Sequence, residues 1–301
     1  MVARSSAVSL NGSASDGCEG RHSPNVADLP LVPMVIIAVE LVVLFASVAG
    51  DMAIQWWDDP NYSHGYLVPL FSGYVLWQRR EELAADVPEG NWLGLVVLLG
   101  GVATLVIGVI GAENFLMRSS LIVILAGLVL FHGGTRTFSS VAFPLGFLFF
   151  MVPLPQIVFN AIAFPLQGFA AHNATTILEM IGIPVLRDGN VIHLSRITLG
   201  VTEACSGIRS LISLLALAVA WSYVALPRGW MRLTLIASAV PITIAANAAR
   251  IVLTGLIGQY VDPRYAEGFF HSFSGWVVFL VAVALLVAVQ GLLSRAARMR
   301  A

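Results

Sequence analysis

Charge is what this chain has least of. Only 11% of its 301 residues are Asp, Glu, Lys or Arg, against about 25% in soluble domains. With 58% hydrophobic residues and a mean hydropathy of +0.86, that shortage excludes a soluble globular domain and implies an integral membrane protein with several spans. Net charge is −1 and there is no broad basic stretch, so nucleic acid is excluded as an expected partner. Cysteine is scarce too, with only Cys18 and Cys205. Cys18 lies in a Ser/Gly/Asn/Asp-rich tail, Met1 to about Pro30, that reads as disordered and cytoplasmic, and the two cysteines are read as unpaired. The tail lacks an apolar h-region, so no cleaved signal peptide is expected. There is no His/Cys/Asp/Glu cluster with metal-ligand spacing, no Gly-rich phosphate loop and no solenoid repeat, and hence no expected metal or cofactor.

What is present is a series of apolar runs. They predict an all-α polytopic membrane protein of about eight transmembrane helices: Leu31–Gly50, Gly65–Trp77, Trp92–Gly111, Ser119–His132, Ser139–Val152, Gly207–Ala225, Trp230–Gly258 and His271–Leu293. Basic residues orient the set. Arg79, Arg80, Arg136, Arg228, Arg232, Arg295, Arg298 and Arg300 fall on one side, taken as cytoplasmic, and Arg118, Arg187, Arg196 and Arg264 on the other. The membrane domain is placed at 31–295, with a basic cytoplasmic end at 296–301. The segment Gln156–Gly182 mixes apolar residues with Gln167, His172, Asn173 and Glu179, and reads as an amphipathic helix in the outer interface. If it crossed, the parity would break and Cys205 would face inward. Trp56, Trp57, Trp92, Trp221, Trp230 and Trp276 lie near span ends, where interface anchors sit.

Between Pro184 and Thr202 the period shortens. Val185–Ile192 reads as strand, Asp-Gly turn and strand, and Ile197, Leu199 and Val201 alternate with polar or small residues as a third strand. A small extracytoplasmic β-element therefore leads into Thr202-Glu203-Ala204-Cys205-Ser206-Gly207, where a loop turns into an apolar helix. Unpaired N–H groups and the positive dipole end at a helix start both lower a thiol's pKa.

The topology brings two more groups to the same depth. Arg250 lies about eight residues before the outer end of its span, roughly 12 Å deep, where an arginine is costly and faces a bundle interior or a site. His271 opens the last span on the same side. Acyl transfer from a peptide needs a nucleophile, a proton carrier and a stabiliser of the oxyanion. Cys205 would attack and form a thioester, His271 would hold the thiolate or protonate the leaving amine, and Arg250 would donate to the oxyanion or orient the substrate. Asn247, on the same helical face, would orient Arg250. Glu203 and Arg209 are supporting candidates, Glu203 as an ion-pair partner of Arg209 or Arg250. His64, at the start of the second run, reads as structural. Each residue also has a bland reading: a packed thiol, a snorkelling arginine, an interfacial histidine. Their shared depth favours the catalytic one.

These residues resemble the exosortases, within the exosortase/archaeosortase group. The likeness rests on Tyr62-Ser63-His64-Gly65-Tyr66-Leu67-Val68-Pro69-Leu70, Pro153-Leu154-Pro155, the run Leu178–Leu194, Glu203–Ser210, Asn247-Ala248-Ala249-Arg250-Ile251 and His271-Ser272-Phe273-Ser274-Gly275. It implies a cysteine peptidase or transpeptidase in the bacterial inner membrane, with its site facing the periplasm. The expected partners are exported proteins bearing a PEP-CTERM-like signal (a short motif, one transmembrane helix and a basic end) and an acceptor nucleophile of unknown identity. A link to exopolysaccharide production follows from the same resemblance. The chain is expected to lack the periplasmic domain fused to some relatives, so such a partner would be a separate protein. The alternative from another class is a transporter or export component for polysaccharide, with Arg250 and His271 on an anionic substrate. A structural scaffold is a third.

Overall fold

A computed structural model describes the backbone of residues 31–201, 207–262 and 268–299 and the side chains of 33–201, 207–262 and 273–298. The tail 1–30 with Cys18, the segment with Glu203 and Cys205, and Arg264 and Arg300 lie outside the described residues. The chain divides after Val43. Among the described residues the first unit is the opening of helix α1 (Leu31–Asp58), and the packing below concerns Leu44 onward.

The molecule is helical, with a small three-stranded sheet. Among the described residues six helices are long and apolar enough to cross a membrane. They are α1, α4 (Leu93–Ile110), α5 (Asn114–Phe147, continued by a 3-10 turn to Met151), α7 (Ile208–Ala225), α8 (Gly229–Tyr260) and α9 (Gly268–Met299). The eight apolar runs differ from this set in two places. The second run is α2 (Leu67–Gln78), only 12 residues and so about 18 Å long, entered from a 3-10 turn at Ser63–Tyr66 and followed by the short α3 (Arg80–Ala85). The fourth and fifth runs share α5, which breaks at Gly134 (φ 76°, ψ −171°). A side chain there would strike the Glu89 carbonyl, so only glycine permits the reversal.

The first arm of α5 returns along α4. Gly94, Gly101 and Gly108, seven residues apart, bring α4 onto the backbone of Phe131, Ile124 and Met117. Small residues are how membrane helices approach closely, since lipid tails supply no hydrophobic force between them. The second arm of α5 lies antiparallel to α2, held where Ser72 Oγ donates to the Pro144 carbonyl (3.0 Å) and Arg79 Nη1 to that of Ser140 (2.7 Å).

Two ends follow. Arg79, Arg136 (paired with Asp86 at 3.2 Å) and Arg232 (donating to Leu226 O at 2.8 Å) share one end with the C-terminal turns of α9. The other end carries Arg118, Arg196 and the sheet. Helix α6 (Gln156–Met180) runs along this sheet end. Its Phe159 and Ala163 are buried with Trp56, Tyr62 and Ile208, and its Ala170, Ala174 and Leu178 with Ile192, Ile251 and Val252. Helix α6 thus packs through both of its halves on the helices and the sheet.

The sheet is β1 (Val185–Asp188), β2 (Val191–Leu194) and β3 (Thr198–Gly200), antiparallel throughout. Asp188 pairs with Val191, so the hairpin turns on Gly189-Asn190, one residue later than the expected Asp-Gly. Gly189 has φ +60°, and Asn190 does not have positive φ: among the described residues the one non-glycine with positive φ is Ala112, far from this turn. This is the II′ pattern of a two-residue hairpin. Trp56 is a second correction. It is 7% exposed and its indole donates to the Met151 carbonyl at 2.9 Å, because α1 continues to Asp58 and turns this residue into the core. Its neighbour Trp57 is 81% exposed.

Candidate functional site

Helix α7 begins at a left-handed residue. Gly207 caps it at φ 82°, ψ −2°, a conformation that costs other residues about 1–2 kcal/mol. A Cβ at Gly207 would lie 3.1 Å from the Asn247 side chain. Asn247 itself is buried, 5% exposed. The start of α7 is therefore seated on α8 at Asn247.

One turn further along α8, Arg250 is 9% exposed. Ten residues of helix separate it from Tyr260, about 15 Å, deeper than expected because α8 continues past Gly258. A buried cation needs partners. Its Nε donates to Ser274 Oγ of α9 at 3.3 Å, and a Cβ at Gly275 would meet its Nη2 at 3.4 Å. Helix α8 thus touches the start of α7 through Asn247 and the start of α9 through Arg250. Ser274 and Gly275 stand in the sequence only as members of the His271–Gly275 motif, with no role of their own. The signal for both is a Ser-Gly pair one turn after His271.

The sheet enters the same neighbourhood. Val201, 1% exposed, is buried in a cluster with Ile251 and Val252, and its N–H donates to Asn190 O at 2.8 Å. Val201 and Gly207 flank the stretch 202–206, and both are packed with the Asn247–Val252 stretch of α8. Cys205 and Glu203 belong to that stretch and lie outside the described residues. His271 lies in the first turn of α9, and its side chain is likewise outside them.

The remaining candidates sit where the first turns of α7 meet the turn before α2. Arg209 Nε donates to Asn61 Oδ1 at 3.3 Å, tying the first turn of α7 to that turn. His64 Nδ1 is 3.4 Å from Ser213 Oγ, one turn further along α7. Its Nε2 is buried without a hydrogen-bond partner among the described residues. Burial holds the His64 imidazole below its ordinary pKa, and the Phe150 backbone only partly offsets this. The ring is therefore neutral near pH 7, and it contacts α7 through Ser213.

The family model described as transmembrane exosortase matches residues 56–288, well over half the chain. No curated protein matches. No solved structure matches.

Proposed function

The chain belongs to the transmembrane exosortase family, and from that premise we propose that it cleaves C-terminal sorting signals of exported proteins through Cys205. The thiolate attacks the scissile carbonyl, the C–N bond breaks and a thioester forms. The thiol proton passes through His271 to the leaving amine. Arg250 donates to the oxyanion, and Asn247 holds the start of α7 against α8. An acceptor nucleophile then resolves the thioester.

The observation that carries this reading is the buried Arg250, on the stretch of α8 that packs with both flanks of the cysteine segment and with the start of α9. A desolvated guanidinium at that position suits a developing negative charge better than a scaffold role would require. The proposed substrate is a PEP-CTERM-like signal, whose single helix and basic end would leave its motif near the membrane surface. The arginines gathered at the opposite end support an inner-membrane orientation with the site toward the periplasm. The exopolysaccharide link belongs to the same reading through the family.

The test is co-expression with a candidate substrate, following its cleavage with the wild type and with Cys205→Ala, Arg250→Ala and His271→Ala. Loss of processing in all three, with the protein still present in the membrane, is expected. Normal processing by Cys205→Ala would contradict the reading, and would favour a transporter in which the thiol is dispensable.

A further inference from the structure

At the end opposite the sheet, three side chains form a cluster that this reaction does not use. Tyr223, in the last turn of α7, stacks on Phe143 of α5 with ring centroids 3.5 Å apart and planes 2° apart. The Arg79 guanidinium, at the C-terminus of α2, lies 5.6 Å from the Tyr223 ring centroid. The Arg232 guanidinium, in the first turns of α8, lies 5.4 Å from the same centroid. Two cations thus share one ring and are no farther apart than the sum of those distances.

Nothing among the described residues neutralises them. Arg79 donates Nη1 to the Ser140 carbonyl and Arg232 donates Nε to the Leu226 carbonyl. Both acceptors are neutral, and the other N–H groups of each fork stay open. Among the described residues no carboxylate forms an ion pair with either: Glu81 pairs with Arg80 and Asp86 with Arg136, and Glu82 reaches neither Arg79 nor Arg232. Tyr223 Oη is buried with no hydrogen-bond partner among the described residues, a third open donor. The chain has no lysine, so both cations are planar forks suited to phosphate oxygens.

We propose that Arg79, Arg232 and Tyr223 form a binding site for the phosphate of an anionic phospholipid headgroup, between α2, α5, α7 and α8. The position favours lipid over a soluble anion. Arg79 and Arg232 stand where α2 ends and α8 begins, at the depth where a helical bundle meets headgroups, and basic pockets between membrane helices bind such groups. The ring stacked on Phe143 holds both guanidinium groups in place through cation–π attraction, so the site is organised before lipid arrives. This inference is independent of the proposed reaction.

The experiment is native mass spectrometry of the full chain in detergent, titrated with phosphatidylglycerol or phosphatidylcholine. The wild type is expected to retain phosphatidylglycerol at least tenfold more tightly than phosphatidylcholine. Arg79→Ala with Arg232→Ala is expected to lose that preference. Arg80→Ala with Arg228→Ala, which removes equal charge from the same end, is expected to keep it within about twofold. Should the first double variant fail to fold, a photo-crosslinking phosphatidylglycerol on the wild type is expected to label peptides spanning 74–80 and 219–235. Equal loss in both double variants, or labelling elsewhere only, would overturn the proposal. A thermal shift with inorganic phosphate matching that with phosphatidylglycerol would overturn the lipid assignment.

Discussion

Arg250 Nε donates to Ser274 Oγ at 3.3 Å, joining α8 to the start of α9 one turn beyond His271. The hydrogen bond fixes the orientation of a guanidinium that is 9% exposed. Arg250→Lys keeps the charge but loses the planar fork and the Nε donor. It is expected to lower the rate of substrate processing by about 100-fold, the order expected from removing one oxyanion donor, while leaving membrane abundance unchanged. Ser274→Ala is expected to have a smaller effect in the same direction. A time course of cleavage at matched protein levels checks both.

Gly207 and Gly182 offer a matched pair. Both have φ +82°, but a Cβ at Gly182 meets open space whereas one at Gly207 meets Asn247. Both alanine variants carry similar backbone strain, about 1–2 kcal/mol. Only Gly207→Ala is expected to depress processing, by tenfold or more, because it pushes the start of α7 off α8. Equal activity of the two variants would separate the α7–α8 seat from function.

The α4–α5 hairpin gives a stability test away from the site. Gly94→Ala places a methyl against the Phe131 backbone and is expected to destabilise by about 1–3 kcal/mol. Gly100→Ala meets nothing within 4 Å and is expected to be neutral or to stabilise by up to about 1 kcal/mol. Thermal denaturation in detergent distinguishes them.

His64 sets a pH dependence. Its pKa is lowered by burial, so the folded state binds less proton than the unfolded one near and below the ordinary histidine value of about 6.5. The stability it contributes is present above that value and lost as pH falls through the lowered one. Melting temperature is expected to fall between pH 7 and pH 5, and His64→Gln to remove part of that fall. Melting curves across this range check the sign.

Much of this architecture was legible in the sequence. Arg250 stood out because an arginine far inside an apolar run must be buried or aimed at something, and it is buried. The hairpin strands showed their period of two. Other features depend on tertiary contacts that hydropathy does not encode. Apolar runs mark where chain is greasy, and they cannot distinguish a loop from the single-residue reversal at Gly134. The sequence Asp-Gly-Asn allowed two turn registers, and the pairing of Asp188 with Val191 selected the later one. Trp56 and Trp57 look alike in sequence, and helix rotation alone sends the first to Met151 and the second outward. Asn61 and Ser213 carry no motif, and their role comes from the turn before α2 packing on α7.

The central claim, that Cys205 is the nucleophile and Arg250 the oxyanion donor, is tested most directly by substrate cleavage in Cys205→Ala. An exported protein bearing a sorting signal is expected to be cleaved by the wild type and to remain full length with the variant, at equal membrane abundance. Cleavage by Cys205→Ala at the wild-type rate would contradict it.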